Sequence, residues 1–352
     1  MDMSPSNDRT RQLICLSAIT EAPAVKTFTF ETAERSWFRY APGQFMTFEL
    51  PEAGPNVLRS YTLSSTPSRP FTVSVTVKAQ AESIGSRWMV DHLKPGMQLR
   101  AHGPAGSFTL HHHPAEKYLF ISAGSGITPV MSMTRWLYDE SRAADVAFIH
   151  AARTPRDIIF RDEVEWMAGR MQPFRLAWVV EDACSHFWPG FHGRVSASLL
   201  PEMTPDFRAR EIFCCGPEPF MASIRAILAG AGLDMRHYHE ESFHPAALEV
   251  PITSPREERA ETARLIFAQS GVEHDCHPGE TVLMAAKRIG INIPSACQSG
   301  LCGTCKLRCL GGRVDMQHNG GILDEEVAEG YVLACCSKPL GSRRDHNEAS
   351  GP

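Results

Sequence analysis

No run in the chain approaches the ~20 consecutive apolar residues that a membrane-spanning helix needs, so none is expected. The first fifteen residues, Met1 to Cys15, are polar and lack an apolar core, so no export signal is expected either. Positive charge is not in excess. The 35 Lys and Arg against 40 Asp and Glu leave a net charge of −5, which gives no default attraction for nucleic acid. Internal repeats and low-complexity tracts are absent. The expectation is a cytoplasmic protein of ordinary globular composition. Its 352 residues suggest two or three domains at roughly 100–200 residues each.

Cysteine is plentiful by contrast. Six of the eleven lie between Cys297 and Cys336, with Cys276 shortly before them. An odd count without an export signal argues against a disulfide framework and for metal ligands or redox groups.

From Ile14 to about Pro104, short β-rich runs recur between Pro and Gly punctuation: ICLSAIT, VKTFTFETA, QFMTFEL, LRSYTLSS, FTVSVTVK and MQLRAHGP. Six such runs predict a small antiparallel barrel. Beyond the polar break at His111 to Glu116, strand-like runs alternate with helical ones. Strands are expected at Tyr118 to Ala123, Val146 to Ala151, Leu176 to Val180 and Ile212 to Cys215, with helices near Asp157 to Ala168 and Pro219 to Ala229. This alternation predicts a parallel sheet covered by helices. Thr128 suits an N-cap, with Pro129 at the first helical position. His111, His112 and His113 read as a solvated polar turn between domains. The charged, proline-containing stretch from Ala247 to Thr262 reads as a linker. An apparent hairpin, Ala263 to His277, and a helix with Val282, Ala285, Ala286 and Ile289 on one face follow.

The cysteines then read Cys297-x₄-Cys302-x₂-Cys305, followed by 29 residues and Cys335. This is the spacing of a plant-type [2Fe–2S] site, in which four thiolates surround two irons and one short loop supplies three of them. Gly300 and Gly303 let that loop curl and turn N–H groups toward sulfur, which tunes the potential. A structural zinc site is the alternative, but zinc sites usually use paired knuckles and only one such pair is present. Cys309 and Cys336 are competing ligands; Cys335 is preferred, and Cys336 reads as a small, at least partly buried thiol.

Arg59-Ser60-Tyr61-Thr62 ends a predicted barrel strand, preceded by Pro42-Gly43-Gln44-Phe45 and followed by Gly85-Ser86 and Gly103-Pro104-Ala105-Gly106-Ser107-Phe108. Gly124-Ser125-Gly126-Ile127-Thr128-Pro129 joins a predicted strand to a helix, a setting in which phosphate approaches free N–H groups. Cys215-Gly216-Pro217 follows a later strand, and Tyr238-His239-Glu240-Glu241-Ser242-Phe243 closes the segment. Together these motifs resemble the ferredoxin–NADP⁺ reductase superfamily with a C-terminal plant-type ferredoxin domain, over nearly the whole chain.

The resemblance implies a six-stranded antiparallel flavin-binding β-barrel over residues 9–112 and an α/β parallel-sheet nicotinamide domain over 113–246. It further implies a linker over 247–262 and an α+β β-grasp ferredoxin domain over 263–345. It implies that Arg59 pairs with flavin phosphate, a fork suited to guanidinium. Tyr61 would line the ring, and Thr62, where most members carry Ser, would sit near its reactive nitrogen. Ser60, Gly85 and Ser86 complete the flavin set, with Ser86 opening a helix whose N-terminus takes a second phosphate; two phosphates imply FAD rather than FMN. Gly124, Gly126, Thr128, Cys215, Gly216 and Pro217 are the nicotinamide set. Glu241 and Phe243 are ring-side residues, and Thr62, Cys215 and Glu241 are the catalytic candidates. Arg153 or Arg156 is a candidate for the 2′-phosphate of NADPH, with a solvated loop charge or a pyrophosphate contact as equal alternatives; similar oxygenase reductases mostly take NADH. The cluster ligands are Cys297, Cys302, Cys305 and Cys335.

The implied function is electron transfer from NADH through FAD and a [2Fe–2S] cluster to a partner oxygenase. The domain order is similar to reductase components of Rieske-type monooxygenases that demethylate quaternary amines such as glycine betaine. Reductases of a hybrid-cluster protein or of a phenylacetyl-CoA-type oxygenase are alternatives. A redox-sensing binding module is the alternative of another class.

Overall fold

The computed structural model describes residues 10–53, 57–81, 83–141, 143–183, 187–243, 263–268, 270–277, 279–291, 293, 295, 300, 303, 305–318 and 321–340. The chain forms two compact units, residues 1–244 and 245–352. Among the described residues, no helix is long and apolar enough to cross a membrane.

The first unit opens with β1 (Thr10–Ala22), β2 (Val25–Thr32), β3 (Phe45–Glu49), β4 (Leu58–Thr62), β5 (Val73–Lys78) and β6 (Gln98–Ala105). All neighbours pair antiparallel in the order β4-β3-β6-β1-β2-β5, and a Leu63–Val75 bridge joins the two ends of the sheet. The alternation that predicts these strands is the alternation that fills the barrel. In β6, Leu99, Ala101, Gly103 and Ala105 point inward while their neighbours are more exposed. Leu99 and Ala101 join Leu13, Phe28, Phe30, Met46 and Phe48 in one core cluster.

Helix α1 (Ile84–His92) packs Trp88, Met89 and Val90 into the same core. It begins two residues before the expected Ser86. Ser83 is the N-cap and accepts the Ser86 N–H at 3.4 Å, so the capping serine is the one three residues upstream.

The second half of this unit is a parallel sheet of β7 (Lys117–Ala123), β8 (Asp145–Ala152), β9 (Phe174–Val180), β10 (Phe191–His192), β11 (Glu211–Cys215) and β12 (Tyr238–Glu241). The spatial order is β10-β9-β8-β7-β11-β12. Helices α2 (Ile127–Asp139) and α3 (Arg161–Ala168) cover one face; α4 (Leu199–Met203) and α5 (Glu218–Gly230) cover the other.

Two expected starts move here. Gly124 adopts φ +55 and a 3₁₀ turn over Gly124–Gly126 lifts the chain, so α2 starts at Ile127 with Gly126 as N-cap. Thr128 is therefore inside the helix, where its hydroxyl donates to the Ser125 carbonyl at 3.1 Å, and Pro129 lies in the first turn, where no N–H is needed. The helix expected from Asp157 begins only at Arg161, because a 3₁₀ turn at Pro155–Asp157 and a left-handed Phe160 (φ +58) precede it.

Arg210 has no solvent-exposed side-chain surface and ties the base of the sheet together. It grips Asp206 through two hydrogen bonds of 2.9 Å and donates to the carbonyls of Tyr118 and Asp145 at the starts of β7 and β8. Barrel and sheet interlock above it. From α2, Arg135 donates to the Ser64 carbonyl at 2.5 Å and Ser132 to that of Ser65 at 2.6 Å, while Arg69 grips Asp139 at the helix end.

The second unit holds β13 (Ala263–Phe267), β14 (Val272–Cys276), α6 (Val282–Arg288), β15 (Lys306–Arg308), β16 (Arg313–Met316), α7 (Asp324–Ala328), β17 (Tyr331–Leu333) and β18 (Ser337–Leu340). Its strands pair antiparallel as β13–β14, β15–β17 and β16–β18. The expected hairpin and helix are present, and the expected linker, 247–262, lies outside the described residues.

Candidate functional site

In the parallel sheet the chain proceeds from β7 to β8 and β9 on one side, then returns to place β11 on the other side of β7. The strand order therefore reverses between β7 and β11, and open α/β sheets bind ligands in the crevice at the carboxyl ends of such strands. The loops at this point are Gly124–Gly126 and Cys215-Gly216-Pro217. They touch without room for a side chain: a Cβ on Gly126 would lie 2.2 Å from the Cys215 carbonyl oxygen and 2.6 Å from the Gly216 nitrogen. Gly216 is equally confined, since its Cβ would meet the Phe220 ring at 2.9 Å. Lys78, at the end of barrel strand β5, brings its ammonium within 3.9 Å of where a Gly124 Cβ would be. Arg153 and Arg156 are both exposed, and Arg153 lies 3.7 Å from Asp157.

Register extends the site across the sheet. Glu241 pairs with Cys215, Cys215 with Ser122, Ser122 with His150, and His150 with Trp178. Directly paired residues share a face, so these five side chains form one transverse row over β12, β11, β7, β8 and β9. The row is nearly dry. Burial, and then the neighbouring Glu241, push the Cys215 thiol well above its ordinary range. Burial pushes the Glu241 carboxyl up to about 8, opposed by a hydrogen bond with the Thr62 side chain. His150 shares a 2.9 Å hydrogen bond with Ser122 and is held neutral, pushed down to about 3 by burial and by the charge of Lys78.

Thr62 comes from the last position of barrel strand β4, so the structure brings Thr62, Cys215 and Glu241 together from two different halves of the unit. Two positions back along β4, on the same side as Thr62, Ser60 shares a 2.7 Å hydrogen bond with Thr47 on β3. The Tyr61 ring packs against Phe48, and its hydroxyl is buried without a hydrogen-bond partner among the described residues; burial raises its pKa, with Arg59 opposing. Arg59 is exposed and lies across the first turn of α1, where a Cβ on Gly85 would approach its Cγ to 2.7 Å. Ser86 is buried, and its hydroxyl accepts the Gln80 N–H at 3.1 Å. Phe243 follows β12 and is 41% exposed.

These features fit a flavin. An exposed guanidinium, held at 2.8 Å on the Leu58 carbonyl, stands at a helix N-terminus, a glycine leaves space beside it, and two buried polar atoms, the Tyr61 hydroxyl and Glu241 Oε2, have no hydrogen-bond partner among the described residues, as expected where a polar ring supplies one.

In the second unit Cys305 and Cys335 are both buried, while Cys297 and Cys302 lie outside the described residues. The Cys335 N–H donates to the Cys305 sulfur at 3.4 Å, and the Gly300 N–H donates to the Cys335 sulfur at 3.3 Å. N–H groups aimed at sulfur suit thiolate ligands. Gly300 and Gly303 hold φ of +71 and +72, and a Cβ on Gly303 would lie 2.6 Å from the Gly321 carbonyl oxygen, so the loop is tight where the spacing requires it. Cys309 and Cys336 are partly buried and direct their thiols to the carbonyls of Gly311 and Leu333.

Sequence reasoning missed the row partners Ser122 and His150, although both lie on strands it predicts; their only signal is a polar residue in an otherwise apolar buried run. It also read His113 as part of a solvated turn. His111 and His112 are exposed, but His113 is half-buried and stacks on His239 with ring centroids 3.5 Å apart.

Three family models match the chain: an oxidoreductase FAD-binding domain over residues 14–110, an oxidoreductase NAD-binding domain over 120–226 and a 2Fe-2S iron-sulfur cluster binding domain over 266–340. The chain is 51% identical to the stachydrine N-demethylase reductase subunit of Rhizobium meliloti, with 93% of this chain and 94% of that protein aligned. It is 45% identical to the glycine betaine monooxygenase reductase subunit of Pseudomonas aeruginosa, over 93% and 92% of the two chains. Its fold is similar to that of phthalate dioxygenase reductase, at 22% identity and a TM-score of 0.59, covering 96% of this chain and 97% of the other.

Proposed function

Because the chain belongs to the family of reductase subunits of oxygenase systems, oxidoreductases built from FAD-binding, NAD-binding and 2Fe-2S domains, we propose that it reduces a Rieske-type monooxygenase that demethylates a quaternary amine. NADH is the expected donor. When bound, FAD supplies the exchange between hydride and single-electron chemistry, and a [2Fe–2S] cluster supplies the one-electron exit.

The observation that carries this reading is the meeting of Thr62, Cys215 and Glu241 at the point where the strand order reverses. Arg59, by its charge, and the N-terminal turn of α1 around Gly85 and Ser86 would hold the flavin phosphates. Tyr61 and Phe243 flank the ring. Gly124, Gly126 and Thr128 open the loop that receives the pyrophosphate, and Cys215, Gly216 and Pro217 form the wall beside the nicotinamide. Glu241 keeps its proton up to about pH 8 next to the Thr62 hydroxyl, so a neutral hydrogen-bonding pair faces the reacting rings. The buried Cys215 adds no charge and excludes water. Cys297, Cys302, Cys305 and Cys335 hold the cluster; the N–H contacts to the last two sulfurs support this choice over Cys309 and Cys336.

The test is reconstitution. The purified protein should bind FAD and two irons, reduce cytochrome c with NADH, and support NADH-driven demethylation of stachydrine or glycine betaine by a matching oxygenase component. Rapid cytochrome c reduction without demethylation of either amine would retain the reductase and reject the quaternary-amine partner.

A further inference from the structure

A second polar cluster lies apart from the crevice. Glu211 opens β11, and His239 lies in the middle of β12 beside it. His113 comes from the connection between barrel and sheet. The ligand atoms of His113, Glu211 and His239 all fall within 4.8 Å of one another. Glu211 is the hub. One carboxylate oxygen is 2.5 Å from His239 Nε2, and the other is 2.8 Å from Nδ1 of His237.

Neither inner imidazole stands loose in solvent. The His113 and His239 rings stack, and both pack against the buried ring of Phe213, at centroid distances of 6.0 Å and 5.2 Å. All three inner residues are half-buried, whereas His237 is 52% exposed. Three imidazoles and one carboxylate are therefore gathered by residues 113, 211, 237 and 239 from three segments of the chain.

Ligand atoms on a tetrahedral zinc stand about 3.3 Å apart, given metal–ligand bonds of about 2.0–2.1 Å. A bound ion would replace the proton shared between Glu211 and His239 and would turn the stacked His113 and His239 rings until their nitrogens converge. Imidazole with one carboxylate suits zinc, copper or nickel, whereas calcium and magnesium favour all-oxygen sets.

We propose that His113, Glu211 and His239, with His237 as a fourth donor, form a binding site for a divalent transition-metal ion of the zinc type. This site is distinct from the cysteine site of the second unit. A cation there would tie the barrel-to-sheet connection to β11 and to β12, the strand that ends in Glu241.

The experiment uses the holoenzyme with its flavin and cluster in place, freed of adventitious metal and titrated with Zn²⁺ by calorimetry. One Zn²⁺ is expected to bind. The affinity should fall at least about tenfold in His113→Ala, in His239→Ala and in Glu211→Gln, but not in His192→Ala. Equal Zn²⁺ binding by wild type and all three cluster variants would assign the metal to thiols and overturn the proposal, as would no binding by the wild type. Anomalous scattering at the zinc edge from soaked crystals of the wild type gives an answer without any variant. A peak between residues 113, 211 and 239 supports the site, and peaks only elsewhere reject it.

Discussion

The two units are stabilised in different ways. The first has two large apolar clusters around its parallel sheet and a third inside its barrel, and it adds polar clamps such as Arg210 with Asp206 and Asp145. Among the described residues, the second has one principal cluster of nine buried residues, and two of the nine are Cys305 and Cys335. A small domain buries too little apolar surface to be secure alone, and a metal centre makes up the difference. The lesson is that a framework of paired strands does not by itself imply self-sufficiency. One unit should fold before it meets its cofactors, while the other should depend on its own.

Substitutions can break that contrast. The largest effect is expected for Cys335→Ser, which should abolish the cluster's visible absorption and lower the unfolding temperature of the second unit. NADH-dependent reduction of the bound flavin should persist, and Cys336→Ser should keep the cluster. If Cys336→Ser lost the cluster and Cys335→Ser kept it, the ligand choice would be reversed. Next comes Glu241→Gln, which keeps the shape but removes the proton site; stopped-flow flavin reduction by NADH should slow by about a hundredfold, at the low end for acid–base groups. The same variant tests a pH effect. In the folded chain Glu241 keeps its proton to about 8, whereas its ordinary value is 4.5. The folded state therefore holds the extra proton between these values, and the stability of the first unit should decline as pH rises through that window. Chemical denaturation at several pH values should show that slope in the wild type and lack it in the variant.

Smaller effects sharpen the comparison. Arg210→Met should cost about 2–3 kcal/mol in urea unfolding of the first unit, less than a fully buried pair because both aspartates retain contact with water. Arg210 also holds the Asp206 carboxyl down to about 2 from its ordinary 3.8. That contribution should be complete above about pH 4 and disappear as the solution is acidified toward 2. Arg59→Ala is expected to weaken FAD retention by about 1.5–3 kcal/mol, the range for a charged hydrogen bond, read from flavin release during dilution.

Much of this architecture was legible because its signals are local. Alternation over β2 and β6 marks the barrel, and short apolar runs such as Tyr118 to Ala123 mark buried parallel strands. The cysteine spacing, Arg59-Ser60-Tyr61-Thr62 and the two glycine loops are contiguous, so they can be read without a fold. Helix starts were less legible. Thr128 and Ser86 both have capping chemistry, but Gly126 and Ser83 take that role because the chain turns earlier. Cross-strand relations were invisible. Nothing adjacent in sequence announces that Ser122 and His150 share a row with Cys215, or that His113 will stack on His239. Those facts depend on which strands become neighbours, a choice made by packing across more than a hundred residues.

Strand β12 ends on two consecutive glutamates with opposite fates. Glu240 is exposed and paired with Arg225 and the Tyr238 hydroxyl, while Glu241 faces inward with one oxygen that has no partner among the described residues. A strand turns successive side chains to opposite sides, so a forward slip of one position would put Glu240 where Glu241 stands and turn Glu241 outward. The saline carboxylate would enter the dry chamber, and the neutral acid would be left outside. A single-residue insertion before Tyr238 is thus a sharper probe of this edge than any point change: it keeps both glutamates in the chain, carries Glu240 into the place of Glu241 and turns Glu241 outward.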